Sequence, residues 1–219
     1  MAVMEPLKVV ITNWTGPVEK IDVLNFPGKP EHGTHTVPLS NVVYIERSDF
    51  KEEDVKNFFG LALKTADNKP KWVGLKYAYP IAITDAKKDA NGRIVELSAI
   101  CEKDKDAIAK MKLKGHLHWV AQPEIGKEPA KIEVRLYDKL FKSKNPGSLD
   151  DWLGDLNPHS RVDVHDVFID PHALVGLNVG SKLQFERHGY FCVDPDTKDG
   201  GHYVFNRTVS LKESKDKPK

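Results

Sequence analysis

The stretch "KWVGLKYAYPIAIT" (71–84) runs through "KKDANGR" (87–93) into "GRIVELSAIC" (92–101). Its outer runs are rich in β-branched and aromatic residues, which suit a pleated, half-buried strand. Asn91-Gly92 between them suits a type I′ turn, whose two central positions both need a positive φ. The stretch therefore predicts a β-hairpin. The same texture extends outward in both directions. "LKVVITN" (7–13), "HTVPLSNVVYIE" (35–46), "GHLHWVAQ" (115–122), "AKIEVRLY" (130–137), "SKLQFERHGYF" (181–191) and "HYVFNRTVSLK" (202–212) all read as strands. Turn-forming runs such as "FPGKPEHG" (26–33), "PEIGKEP" (123–129) and "DPDTKDGG" (194–201) separate them. Many short strands with regular turns predict an all-β barrel or sandwich.

Few segments read as helix. "DFKEEDVKNFFGLAL" (49–63) has an Asp cap, early acids and apolar residues at helical spacing. "SLDDWLGDL" (148–156) is a second short candidate, and "KDKDAIAKMKL" (103–113) is either a turn of helix or a charged loop. The polar run after the first helix candidate and the segment "LFKSKNPGS" (140–148) break the strand rhythm. They suggest a piece inserted between the two halves of an outer piece. The lysine-rich 212–219 is expected to be a disordered tail.

At 219 residues the chain can bury a sizeable core in one large or two small domains. No apolar run approaches the ~18 residues that a membrane-spanning helix needs. The first residues lack the basic-then-apolar pattern of a secretory signal. Cys101 and Cys192 lie far apart, so a reduced intracellular chain is the simplest reading and one disulfide stays open. The 33 Lys and Arg are balanced by 32 acids, which argues against a chain-wide electrostatic surface for nucleic acid but leaves room for a local basic groove.

Motifs for catalysis are missing: there is no GxSxG, no P-loop and no GxGxxG after a strand. His116 and His118 stand at i, i+2 and would share one strand face, yet no third ligand has a suitable spacing and no CxxC exists. They read as exposed or core-edge histidines. Lys and aromatic residues interleave in 71–79 and 133–141. Such interleaving suits a nucleotide binder, where bases stack on rings and cations meet phosphates, and equally suits a barrel strand with a solvated face. In "KLQFERHGYF" (182–191) the period-two rule puts Arg187 on the face of Leu183, Phe185 and Phe191, with Gln184 opposite. Either Arg187 is buried and paired, with Glu186 or Asp194 as its acid, or the strand breaks near Phe185 and both polar heads point outward.

The blocks "GKPEHGTHTVPLS" (28–40), "YIERSDFKEE" (44–53), "GHLHWV" (115–120), "EVRLYDKLF" (133–141), "LNPHSRV" (156–162), "QFERHGYFCVD" (184–194) and "VFNRTVSLKE" (204–213) occur in this order. Together they resemble the C-terminal anticodon-binding region of the glutaminyl-tRNA synthetases, and the last two favour the glutaminyl over the related glutamyl enzymes. The resemblance implies two antiparallel β-barrels, similar to a ribosomal protein that binds 5S rRNA. A proximal barrel is expected from 1–55 and 142–219, and a distal barrel from 56–141. It also implies that the catalytic domain precedes this region, so that the chain alone is an inactive fragment of a ligase. No cofactor is expected in the fragment; the parent enzyme would use ATP and magnesium in the cytoplasm. The expected partner is the anticodon loop of glutamine tRNA, with other synthetases or assembly factors as further partners, and neither membrane nor DNA.

Position by position, Gln184 and Arg187 match the pair that reads the middle anticodon base, a uridine. An amide and a guanidinium can serve the carbonyls and the N–H on a uracil edge. Lys76 matches an Arg at the first base and keeps the charge without the planar fork. Asn57 matches a Gln near the third base, while Phe59 and Gly60 stand where the family often has Lys-Arg. Gly74 occupies a position that is basic in bacterial members. Lys212 matches an Arg near the anticodon. A further anticodon-contacting Arg of the family would lie two residues ahead of Met1, and its absence is expected to weaken middle-base recognition.

Overall fold

The computed structural model describes residues 1–26, 28–198 and 200–211. Strands make up 46% and helices 9% of the structure, which settles the all-β class. The chain divides into two compact units, residues 1–130 with 168–175, and residues 131–167 with 176–211.

The first unit contains β1 Ala2–Val3, β2 Pro6–Ile11, β3 Glu19–Leu24, β4 Thr34–Leu39, β5 Val42–Glu46, β6 Phe50–Glu53, β7 Leu61–Lys64, β8 Val73–Leu75, β9 Pro80–Lys88, β10 Ile94–Cys101, β11 His116–Leu117 and β12 Trp119–Ala121. Seven of these form one nearly closed sheet in the order β11-β8-β9-β10-β2-β5-β12. Alternation explains its core: Leu7, Val9 and Ile11 point inward from β2, and Leu97, Ala99 and Cys101 from β10. Trp119 and Leu75 complete the packing. The hairpin predicted from 71–101 is present as β9–β10. Its turn is not type I′, however. The Gly92 N–H donates to the Asp89 carbonyl at 3.0 Å and the Asp89 N–H to the Arg93 carbonyl at 2.9 Å, and only Gly92, not Asn91, has a positive φ. This is a three-residue loop with a glycine bulge, and the strand register shifts just after it.

The second unit holds β13 Ala130–Tyr137, β14 Arg161–Ile169, β15 Lys182–Phe185, β16 Gly189–Val193 and β17 Tyr203–Val209, in the sheet order β14-β13-β17-β16-β15. Residue 130 and the end of β14 belong to the first unit, where Phe168 and Ile169 pair with β1. This half-barrel has an aromatic core: Phe185 stacks on Phe191 with ring centroids 4.4 Å apart, and Phe205 lies 5.2 Å from Phe185.

Several expectations change. β10 pairs with β2 (Glu96↔Lys8) and β12 with β5 (Trp119↔Ile45). Strands from 1–55 and from 56–130 thus share one sheet and one core. The β10–β2, β11–β8, β6–β7 and β13–β17 pairs run parallel, whereas β9–β10, β5–β12, β2–β5, β8–β9, β15–β16 and β16–β17 run antiparallel. The helix expected over 49–63 is absent: β6 and β7 pair there, burying Phe50 and Leu61 at one register position. Tertiary strand pairing overrides the local helical spacing. Residues 149–156 form turns rather than a helix, after a short 3-10 turn Pro146–Ser148. Residues 103–113 do contain a helix, α1 Lys105–Lys110, whose Asp104 side chain accepts from the Ala107 N–H. His116 and His118 do not share a face. His116 is exposed in β11 and His118 is buried between β11 and β12, where the pairing partner changes from β8 to β5.

Candidate nucleic-acid interface

The run 182–191 is not one strand. It folds into a hairpin of β15 and β16 with Glu186, Arg187 and His188 at its tip. Phe185 faces Gly189, and the His188 N–H donates to the Phe185 carbonyl at 2.9 Å. The core face carries Leu183, Phe185 and Phe191, as period two requires. Gln184 lies exposed opposite Tyr190 on the other face. Arg187 is exposed too, with φ of 73°. An L-residue in the left-handed region costs roughly 1–2 kcal/mol, and this turn position normally falls to Gly or Asn. The break therefore occurs at Phe185, and its ring anchors the two polar heads.

Asp194, one candidate acid for Arg187, sits in a different network. Arg135 of β13 donates from Nε to Glu133 at 2.8 Å and from Nη1 to Asp196 at 2.6 Å, and lies 3.3 Å from Asp194. Asn206 Nδ2 and the Asp196 N–H also donate to Asp194. Burial pushes the Asp194 carboxyl up, but these hydrogen bonds and the Arg135 charge hold it below the usual carboxylate range.

In the first unit, Lys76 occupies the turn between β8 and β9. Its N–H donates to the Leu117 carbonyl and its own carbonyl accepts from Trp119 Nε1, both at 2.9 Å. Its Nζ lies 5.1 Å from the ring centre of Tyr77, which has φ of 67°. Asn57 is exposed in the turn between β6 and β7 and is also left-handed, with φ of 65°. It lines a groove of about 630 Å³ together with Lys56, Phe59, Lys71, Lys112 and Lys114. Lys71 fixes the wall of this groove by donating to Asp54 at 2.5 Å and to the Phe58 carbonyl at 2.8 Å. So the structure brings Gln184 and Arg187 onto one hairpin, and puts Lys76 and Asn57 on separate turns of the other unit. Lys212 lies outside the described residues, as does the rest of the expected tail. Sequence reasoning missed Lys112 and Lys114; their alternation with Met111 and Leu113 was the available signal.

Two family models, each described as the anticodon-binding domain of class I tRNA synthetases (E and Q), match residues 1–102 and 116–194. The chain belongs to this family. Within the class I (E and Q) anticodon-binding domains its similarity lies with the glutamine side. It is 48% identical to a probable glutamine–tRNA ligase of Dictyostelium discoideum across its whole length, spanning 26% of that protein. It is 42% identical over 98% of its length to the cytoplasmic glutamine–tRNA ligase of Arabidopsis thaliana, spanning 26% of it. It is 40% identical over 98% of its length to the glutamine–tRNA ligase of Escherichia coli O157:H7, spanning 37% of it. The chain thus covers about a quarter to somewhat over a third of the length of these relatives.

Proposed function

We propose that the chain is the anticodon-binding region of a glutamine–tRNA ligase and grips the anticodon loop of glutamine tRNA in the cytoplasm. The observation that carries this is similarity to glutamine–tRNA ligases along 98–100% of the chain. The attachment of glutamine, with ATP and magnesium, is assigned to the part of the longer relatives that this chain does not match. Within the chain, Gln184 and Arg187 read the middle base, Lys76 meets the first, Asn57 the third, and Lys212 supports the loop. Two features of the hairpin support the middle-base assignment: both heads are exposed, and Arg187 holds a costly left-handed backbone at the tip. Backbone strain of this kind persists where the surroundings over-determine it and clusters at binding sites.

The test is binding of the chain to glutamine tRNA transcripts with each anticodon base changed in turn. A middle-base change should weaken binding by roughly 1–3 kcal/mol, and binding to all transcripts should fall with salt. Equal affinity for every anticodon, or a flat salt response, would remove this reading.

A further inference from the structure

Residues 111–117 alternate between half-buried or buried and exposed positions, so Lys112, Lys114 and His116 stand on one outward face. Two residues of extended chain span roughly 6.5–7 Å, which sets the spacing of this row. Lys112 and Lys114 make no ion pair among the described residues. Both line the groove that also holds Phe58, Phe59 and Trp72. The two phenylalanines differ. Lys51 and Lys71 cover the Phe58 ring at 4.7 and 5.0 Å. The Phe59 ring has no such cover among the described residues, and the residue as a whole is 56% exposed.

Two glycines build this arrangement. A Cβ at Gly115 would collide with the Phe59 carbonyl, so glycine lets the row pass directly beside Phe59. A Cβ at Gly74 would meet the His116 ring at 2.5 Å, so the imidazole fills the space that a side chain at 74 would take.

We infer that Lys112, Lys114 and His116 form a track for the backbone of single-stranded RNA, with one unstacked base resting on the Phe59 ring. The inference rests on the RNA-binding reading above and adds residues to it. A bare ring beside unpaired cations is the combination that single-stranded nucleic acid uses: phosphates meet the lysines, and the base face meets the aromatic. An acidic peptide would need the lysines but not the ring.

The test measures binding of the 219-residue chain to an RNA hairpin with the anticodon-arm sequence of glutamine tRNA, across a salt series. Phe59→Ala should weaken binding at least about fivefold without changing the salt slope, and Phe59→Trp should restore it. Lys112→Gln with Lys114→Gln should weaken binding and lower the salt slope by about 1.4, while the paired Arg substitutions retain both. Lysine loss alone, with Phe59→Ala binding like wild type, would reduce the track to a nonspecific cationic surface and overturn the stacked base. Wild-type binding by all groove variants, with Arg187→Ala still weakened, would overturn the track and leave the anticodon reading standing. No binding by wild type would remove both.

Discussion

In the proposed reading, the hairpin at Arg187 and the groove at Phe59 meet RNA in opposite ways. The hairpin would concentrate recognition in one tight turn, with an amide and a guanidinium three residues apart and an aromatic anchor between them. The groove would spread recognition over separate segments, the 54–59 turn, Lys71–Trp72 and the 112–116 row. A site in one turn fails through a single side chain. A site spread over several segments loses affinity in increments. The comparison also separates two uses of positive charge: a planar fork that can name a base, and a row of point charges that can only follow phosphates.

The largest effects should come from the two hydrophobic cores. Phe205→Ala and Trp119→Ala should each cost roughly 3–5 kcal/mol of stability, by denaturant melting. Hydrogen exchange should show the Phe205 change loosening the β15–β16 amides and the Trp119 change loosening β8 and β11. Identical exchange patterns would erase the distinction between the two units.

Next in size is Arg187. Arg187→Ala should lose roughly 1–3 kcal/mol of RNA affinity. Arg187→Gly should lose as much affinity while gaining up to about 1 kcal/mol of stability, because glycine relieves the left-handed backbone. Loss of stability in both variants would mark Arg187 as a structural residue.

The smallest effect concerns acid. The folded Asp194 carboxyl titrates below its unfolded value, so its stabilisation is complete above the ordinary Asp range and is lost as pH falls through the folded value. Melting temperature measured below about pH 4 should fall more steeply for wild type than for Asp194→Asn. Parallel curves would show that the Arg135 network adds nothing to folding.

In 182–191 the sequence poses a choice, since a guanidinium on an apolar face must be either buried and paired or released by a break near Phe185; Arg187 is exposed in the turn that follows Phe185. The β9–β10 hairpin was legible, though its turn type was not. Asn91-Gly92 satisfies two different loops equally well, and only the hydrogen bond from Gly92 to Asp89 distinguishes them. The segment 49–63 misled because Phe50 and Leu61 are buried by pairing with each other, a non-local contact that local spacing cannot express. For the same reason the groove could not be read: Phe59 and Gly115 are neighbours only through the fold. His116 and His118 parted because the chain changes partner strands between them.

The most direct test of the central claim is a double-mutant cycle between Arg187→Ala and a changed middle anticodon base. The expected coupling energy is roughly 0.5–3 kcal/mol, with the Arg187 variant indifferent to the middle base and still sensitive to the other two. Additive losses, with no coupling at the middle base, would contradict it.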